Sequence, residues 1–194
     1  MGATATGARW KQAYEDVLSA IDAVDWPHGT GRFVIYPESG KRRGEGNGVT
    51  PIKIPCVAHL TRLGWVAEKK AMDLPPEGVL SPGDLDALLT TDAGKFALEW
   101  ETGNISSSHR ALNKLTVALL RQDIQGGFLV LPSRHLARYL TDRIGNIDEL
   151  RPYFYMWQQL PISDGMLTLI AVEYDDVSTD VPRIPKGTDG RAVS

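Results

Sequence analysis

Residues 96–101 read Phe-Ala-Leu-Glu-Trp-Glu, and that alternation admits few folds. Successive side chains of a strand point to opposite faces, so Phe96, Leu98 and Trp100 share one face and Glu99 and Glu101 the other. The apolar face needs a core and therefore a second layer of structure. The acidic face needs water, a proton or a cation. The next residues, 102–121, contain no acid but carry His109, Arg110, Lys114 and Arg121. Paired carboxylates running into a basic, hydroxyl-rich helix start suit a metal site beside a polyanion.

The rest of the chain supplies the layers. Trp10, Tyr14, Val17, Leu18 and Ile21 fall at helical spacing, which predicts an amphipathic helix over residues 9–24. A short strand is expected at 33–36. Residues 37–50 are polar and glycine-rich, and read as a mobile surface loop. No Gly-Lys-Ser/Thr ends that loop, so it is not a phosphate-binding P-loop. Its Lys41, Arg42 and Arg43 leave a DNA-clamping arm as the alternative. Residues 51–72 read as helical, interrupted near Gly64. Strands at 85–89 and 96–101 flank the turn 91–94 and are expected to pair antiparallel. A helix over 106–121 turns Leu112, Leu115 and Leu119 inward. The apolar run 128–131 is a fully buried central strand. Helices over 134–142 and from about Asn146, then a strand over 166–174, complete an α/β sandwich with a mixed sheet. From Val181 onward, Pro182, Pro185 and Gly187 mark an extended tail without a core of its own.

At 194 residues the chain is read as one domain, 1–194, large enough for a real core. No apolar run approaches the roughly 20 residues of a membrane span, so no membrane partner is expected. Cys56 is the single cysteine; it excludes an internal disulfide, fits a reducing cytoplasm and is read as core. The net charge of −3 argues mildly against nucleic acid as a partner. Local sign matters more than the total, because screening ends interactions at about 10 Å.

Asp86 lies in the first strand of the pair. If the two strands are neighbours, it faces Glu99 at roughly 5 Å between Cβ atoms. Such a cluster of oxygen ligands tolerates its own repulsion by holding hard cations, Mg²⁺ or Mn²⁺. Two ions about 4 Å apart clamp the attacking and leaving oxygens of a phosphoryl displacement. An Asp followed by Glu-x-Glu on a hairpin is the pattern of the PD-(D/E)xK nucleases. The spacing leaves two alternatives open: a solvated strand face, and glycoside hydrolysis by paired acids, which does not account for the basic helix. Ser106–His109 lacks the glycine pattern of a nucleophile elbow, and Ser106 reads as a helix N-cap or phosphate donor. His28, His59, His109 and His135 show no metal-ligand spacing.

Four blocks go further: ETGNISSSHRALNKL at 101–115, YLTDRIGN with ELRPYF at 139–146 and 149–154, VPRIPKGTDG at 181–190, and TPIK at 50–53. Taken along the chain, they closely resemble, in the same order, segments of the BamHI-type type II restriction endonucleases, over about residues 50–190; residues 1–50 match less well. The resemblance implies a PD-(D/E)xK restriction-endonuclease-like fold, a central mixed β-sheet flanked by helices on both sides. It implies a catalytic set of Glu68, Asp86, Glu99 and Glu101. Asp86 and Glu99 would hold the metals, with Glu68 in support. Glu101 would take the place of the superfamily's usual lysine and orient or deprotonate the attacking water.

DNA-binding residues implied in the same way are Asn104, Ser106, Arg110, Asp142 and Arg143, with Asp189 and Gly190 of the tail in the minor groove. Arg forks onto guanine O6 and N7, Asp accepts from cytosine N4, and Asn pairs with adenine. Read without the resemblance, Asn104 is a helix cap and Asp142-Arg143 a surface ion pair. The implied activity is Mg²⁺-dependent cleavage of double-stranded DNA at GGATCC after the first G, leaving 5′-GATC overhangs. Mn²⁺ is expected to substitute, and Ca²⁺ to support binding without cleavage. A palindromic site implies a homodimer. The family's dimer helices are those from Ser106 and after Asn146. There Leu120-Arg121 and residues 155–158 lack the family's charged pairs, so a more apolar contact is expected. The chain stops at Ser194, as in a shorter branch of the family, and the tail is expected to be less restrained before DNA binds. A bacterial, cytoplasmic setting and a cognate DNA methyltransferase follow from the resemblance. The remaining alternative is a DNA-binding homologue with degenerate GATC-centred specificity or lost catalysis.

Overall fold

The structure is a computed structural model that describes residues 7–42, 44–69, 83–141, 143–162 and 164–186. Its centre is a five-stranded mixed sheet in the order β2-β3-β4-β5-β6. The strands are β2 (Val66–Lys69), β3 (Leu85–Thr91), β4 (Gly94–Trp100), β5 (Gly126–Pro132) and β6 (Met166–Val172). β3 runs antiparallel to both β2 and β4, whereas β5 lies parallel to both β4 and β6. Every residue of β5 is buried, as an apolar strand with helices on both faces must be.

Strand alternation divides the core. Phe96, Leu98, Trp100, Phe128 and Val130 meet helices α1 (Ala8–Asp22) and α2 (Thr50–Arg62) on one face. Ala97, Leu129 and Leu131 meet α3 (Ile105–Leu120) on the other. In α1 the buried side chains Trp10, Ala13, Val17 and Ala20 recur at helical spacing, and Trp10 stacks on Phe128 with ring centroids 4.9 Å apart. Trp65 is buried under the sheet and its indole N–H donates to Asp16 Oδ2 at 3.0 Å. The short helices α4 (Arg134–Ala137), α5 (Ile147–Leu150) and α6 (Phe154–Gln158) follow β5. A two-stranded ribbon of β1 (Val34–Ile35) and β7 (Asp176–Val177) lies outside the main sheet.

Four expectations change. The helix predicted over 51–72 stops at Arg62. Gly64, with φ +94°, turns the chain, and residues 66–69 pair with β3 as an edge strand. Pairing with a neighbour overrides local propensity there, and residues 70–72 lie outside the described set. The helix predicted over 134–142 ends at Ala137, because Tyr139 and Thr141 bond the main chain of Asn47 instead.

The loop 37–50, read as mobile, is tied down. Gly40 N donates to Arg138 O (3.0 Å) and Gly46 N to Glu38 Oε2 (2.9 Å), while Lys41 and Arg42 stay exposed. The tail, read as having no core, is anchored as far as Lys186. Ile184 is fully buried, Pro182 O accepts from the Trp26 indole (2.7 Å), and Arg183 pairs with Glu38 (2.8 Å). Among the described residues no helix is long and apolar enough to cross a membrane.

Candidate active site

Ala87 faces Leu98 across the β3–β4 hairpin, and the next step of that register sets Asp86 opposite Glu99. Both acids therefore stand at the end of the sheet where β4 runs out into Glu101. Asp86 is fixed twice: its Oδ2 accepts the Trp100 backbone N–H at 2.7 Å, and its Oδ1 the Lys53 ammonium at 2.6 Å. Glu99 is only 3% exposed. Its Oε1 accepts from Lys114 Nζ at 2.6 Å, and the same ammonium donates to the Asp84 carbonyl at 2.6 Å. The Glu101 backbone N–H is held by Val130 O at 2.8 Å, extending the parallel ladder one residue beyond the strand.

Burial dominates the electrostatics of this cluster. It pushes the Glu99 carboxyl up to about 7. The Lys114 hydrogen bond opposes that rise, and the charges of Asp86 and Glu101 add to it. Glu101 is also raised, first by burial and then by Asp86, with Arg110 and Lys53 pulling the other way. A half-buried carboxylate raised above its ordinary value is a better proton acceptor for an attacking water. Cys56 is buried nearby, and its thiol is pushed up to about 12 by burial and by the charge of Asp86. It is an inert core residue.

Glu68 sits on β2 between the pairs Ala67↔Ala87 and Lys69↔Leu85, at the register position across from Asp86. Its φ of +48° is a strained value for a non-glycine residue. Its side chain is exposed and lines a depression together with Lys53 and Asp86. The donor set is oxygen only, as Mg²⁺ or Mn²⁺ prefers, and burial together with repulsion between the acids is relieved by a cation. Asp86 and Glu99 hold lysine ammoniums as placed. Among the described residues no three His, Cys, Asp or Glu side chains are arranged to cage an ion.

Of the expected DNA-reading residues, Asn104, Ser106 and Arg110 follow directly after the acids in the chain. Asn104, not Ser106, caps α3: its Oδ1 accepts from Ser107 N at 3.1 Å, and the helix begins at Ile105. Asn and Ser cap about equally well, and Asn104 is the one that stands just before the first helical residue. Ser106 and Arg110 are exposed on the first turns of α3. Arg143 is exposed, with φ +66°. Its loop packs on the start of α3, where Gly145 N donates to Gly103 O at 2.9 Å and a Cβ on Gly145 would stand 2.9 Å from Ile105 Cα. Asp142, Asp189 and Gly190 lie outside the described residues. His109 packs edge-on against the Tyr153 ring, centroids 4.8 Å apart.

Residues 1–191 match the family model for restriction endonuclease BamHI. The chain is 47% identical to the type II restriction enzyme OkrAI of Oceanobacter kriegii, over 92% of this chain and 88% of that enzyme. It is 34% identical to the type II restriction enzyme BamHI of Bacillus amyloliquefaciens, over 93% of this chain and 82% of that one. The chain belongs to the BamHI restriction endonuclease family.

Within this BamHI-family chain, several residues that shape the site escaped the sequence reading. Lys53 and Lys114 were visible only as part of a matching block and as helix basicity; no spacing links them to Asp86 and Glu99. Asn47 is the other. Fully buried, it donates through Nδ2 to Tyr36 O (2.9 Å) and Tyr139 O (2.8 Å) and accepts from Ile184 N through Oδ1 (3.1 Å). One amide thus joins the basic loop, the segment leading to Asp142-Arg143 and the tail. A lone Asn between two glycines carries no local signal of that role.

Proposed function

We propose that this chain is a homodimeric, Mg²⁺-dependent endonuclease that cuts double-stranded DNA at GGATCC after the first G, leaving 5′-GATC overhangs. The observation that carries the reading is the placement of Asp86, Glu99 and Glu101 at one sheet end, continuous with the α3 start that bears Asn104, Ser106 and Arg110. Asp86 and Glu99 are the acids to hold divalent cations, with Glu68 alongside. Cations bound there would neutralise charge on the phosphate and favour a nucleophilic water. Glu101 orients that water and accepts its proton, which its raised proton affinity favours. Arg110, Arg143, Asn104 and Ser106 read base edges together with Asp142, and Asp189 and Gly190 reach the minor groove.

The dimer reading rests on exposed apolar side chains. Val117 and Leu120 on α3 and Tyr155 and Met156 on α6 are exposed, and α6 is joined to α3 where the Trp157 indole donates to Asn113 Oδ1 at 3.3 Å. An apolar patch of this kind suits a self-complementary contact about a twofold axis. A plasmid of known sequence is digested in Mg²⁺ and its fragment ends are sequenced. Every end is expected at GGATCC with a four-base 5′ overhang; ends at other sequences defeat the specificity, and an uncut plasmid defeats the activity.

A further inference from the structure

We propose that Lys53 and Lys114 are positioning residues that hold the active-site acids in a cation-free resting arrangement and must release them before a divalent cation is bound. This rests on the reading that Asp86 and Glu99 are cation ligands. The two lysines come from helices on opposite faces of the sheet, α2 and α3, yet their ammoniums reach the two facing acids at 2.6 Å each. An ammonium is a compact cation with three donors, so each stands where a hard cation would be attracted. The Lys114–Glu99 pair is withdrawn from solvent, with side chains 11% and 4% exposed. Lys53 is 41% exposed.

Asp86, Glu99 and Glu101 carry three negative charges when ionised, and the two lysines offset two of them. Adding a divalent cation beside both ammoniums would set like charges within a few ångströms in a poorly screened site, a costly arrangement. The lysines therefore have to withdraw, and each has somewhere to go. Lys114 already bonds the Asp84 carbonyl, so it can leave Glu99 and keep a partner. Lys53 opens onto the depression that Glu68 also lines. In the resting protein the pairs hold Asp86 and Glu99 in register and limit their repulsion. A purely structural pair would do the same but would not compete with the cation, and that difference can be measured.

Ca²⁺ binding to the full-length, DNA-free protein is measured by calorimetry well above neutral pH, with Lys53→Met, Lys114→Met and Glu99→Gln beside the unmodified chain. Both lysine variants should bind Ca²⁺ more tightly, roughly fivefold for the partly exposed Lys53 and more for the less exposed Lys114, while Glu99→Gln loses the site. Equal or weaker binding in the lysine variants, with Glu99→Gln still losing the site, overturns the resting-latch proposal and leaves the cation reading standing. Unchanged binding in Glu99→Gln, or no binding by the unmodified chain, overturns the cation reading and the proposal with it. If circular dichroism shows that Lys114→Met is unfolded, Lys53→Met alone decides by the same criteria.

Discussion

The proposed cutting side and the proposed reading side of this molecule meet between Glu101 and Ile105 but are built differently. Asp86 and Glu99 are placed by strand register, at the end of a hairpin whose core residues are buried. Regular elements hold them, and two ammoniums neutralise them. The reading side joins the start of α3 to loops. Residues 139–141 and the tail at 182–186 are joined by the side chain and backbone of Asn47, and the Arg143 loop is seated by the contact of Gly145 with the α3 start. A site held by a ladder survives the loss of one bond. A junction of loops in which one buried amide makes three of the bonds loses more with a single side chain.

The largest stability effect should therefore come from a residue far from the acids. Asn47→Ala leaves Ile184 N without its partner and takes one of two hydrogen bonds from each of Tyr36 O and Tyr139 O, which keep the Glu38 and residue-47 backbone N–H groups. A buried group left unpaired costs about 1–3 kcal/mol and each further bond lost about 1 kcal/mol. Urea unfolding should show a loss of about 3 kcal/mol, allowing for partial rescue by water. A change within about 0.5 kcal/mol, the size of an ordinary surface substitution, would mean the loops are held by something else.

Arg110→Ala sharpens the boundary between the two sides. Losing one base-edge fork should weaken binding to the cognate duplex by about 2 kcal/mol while barely changing binding to unrelated DNA. Competition gel shifts at fixed salt measure both. An equal loss on both DNAs would make Arg110 a phosphate contact instead. Arg110 also lowers the proton affinity of Glu101, so the variant's rate profile in saturating DNA should move to higher pH.

A smaller effect concerns Glu99 in the metal-free protein. Its folded value, about 7, lies above the ordinary 4.5, so the fold binds this proton more tightly than the unfolded chain does. The stability it contributes is fully present below the ordinary value and is lost as pH rises through about 7. In a chelator, melting temperature should fall over that window more steeply for the unmodified chain than for Glu99→Gln. Identical slopes would mean Glu99 does not titrate there.

The same contrast explains what could be read in advance. Strand alternation and helical spacing depend on neighbours in sequence, so β3, β4, β5 and α3 were legible, and with them the positions of Asp86, Glu99 and Glu101. Residues 66–69 form a strand only because β3 offers an edge, and their four residues carry no periodicity to announce it. Likewise Asn47, Lys53 and Lys114 find partners 33 or more positions away or on other elements. Those partners exist only after the chain has folded. The loop 37–50 reads as mobile because its composition is that of a loop, whereas its anchoring rests on bonds of Gly40, Gly46 and Asn47 that exist only in the folded chain.

The separation of cutting from reading is tested most directly in one variant, Glu101→Gln, on one GGATCC duplex. Binding is measured by gel shift in Ca²⁺ and single-turnover cleavage in Mg²⁺. The expected result is unmodified affinity with cleavage slowed by about 10²–10⁴-fold, the usual contribution of a general base. Cleavage at the unmodified rate, or binding lost in step with cleavage, would contradict the assignment of the acids to cutting and of the α3 start to reading.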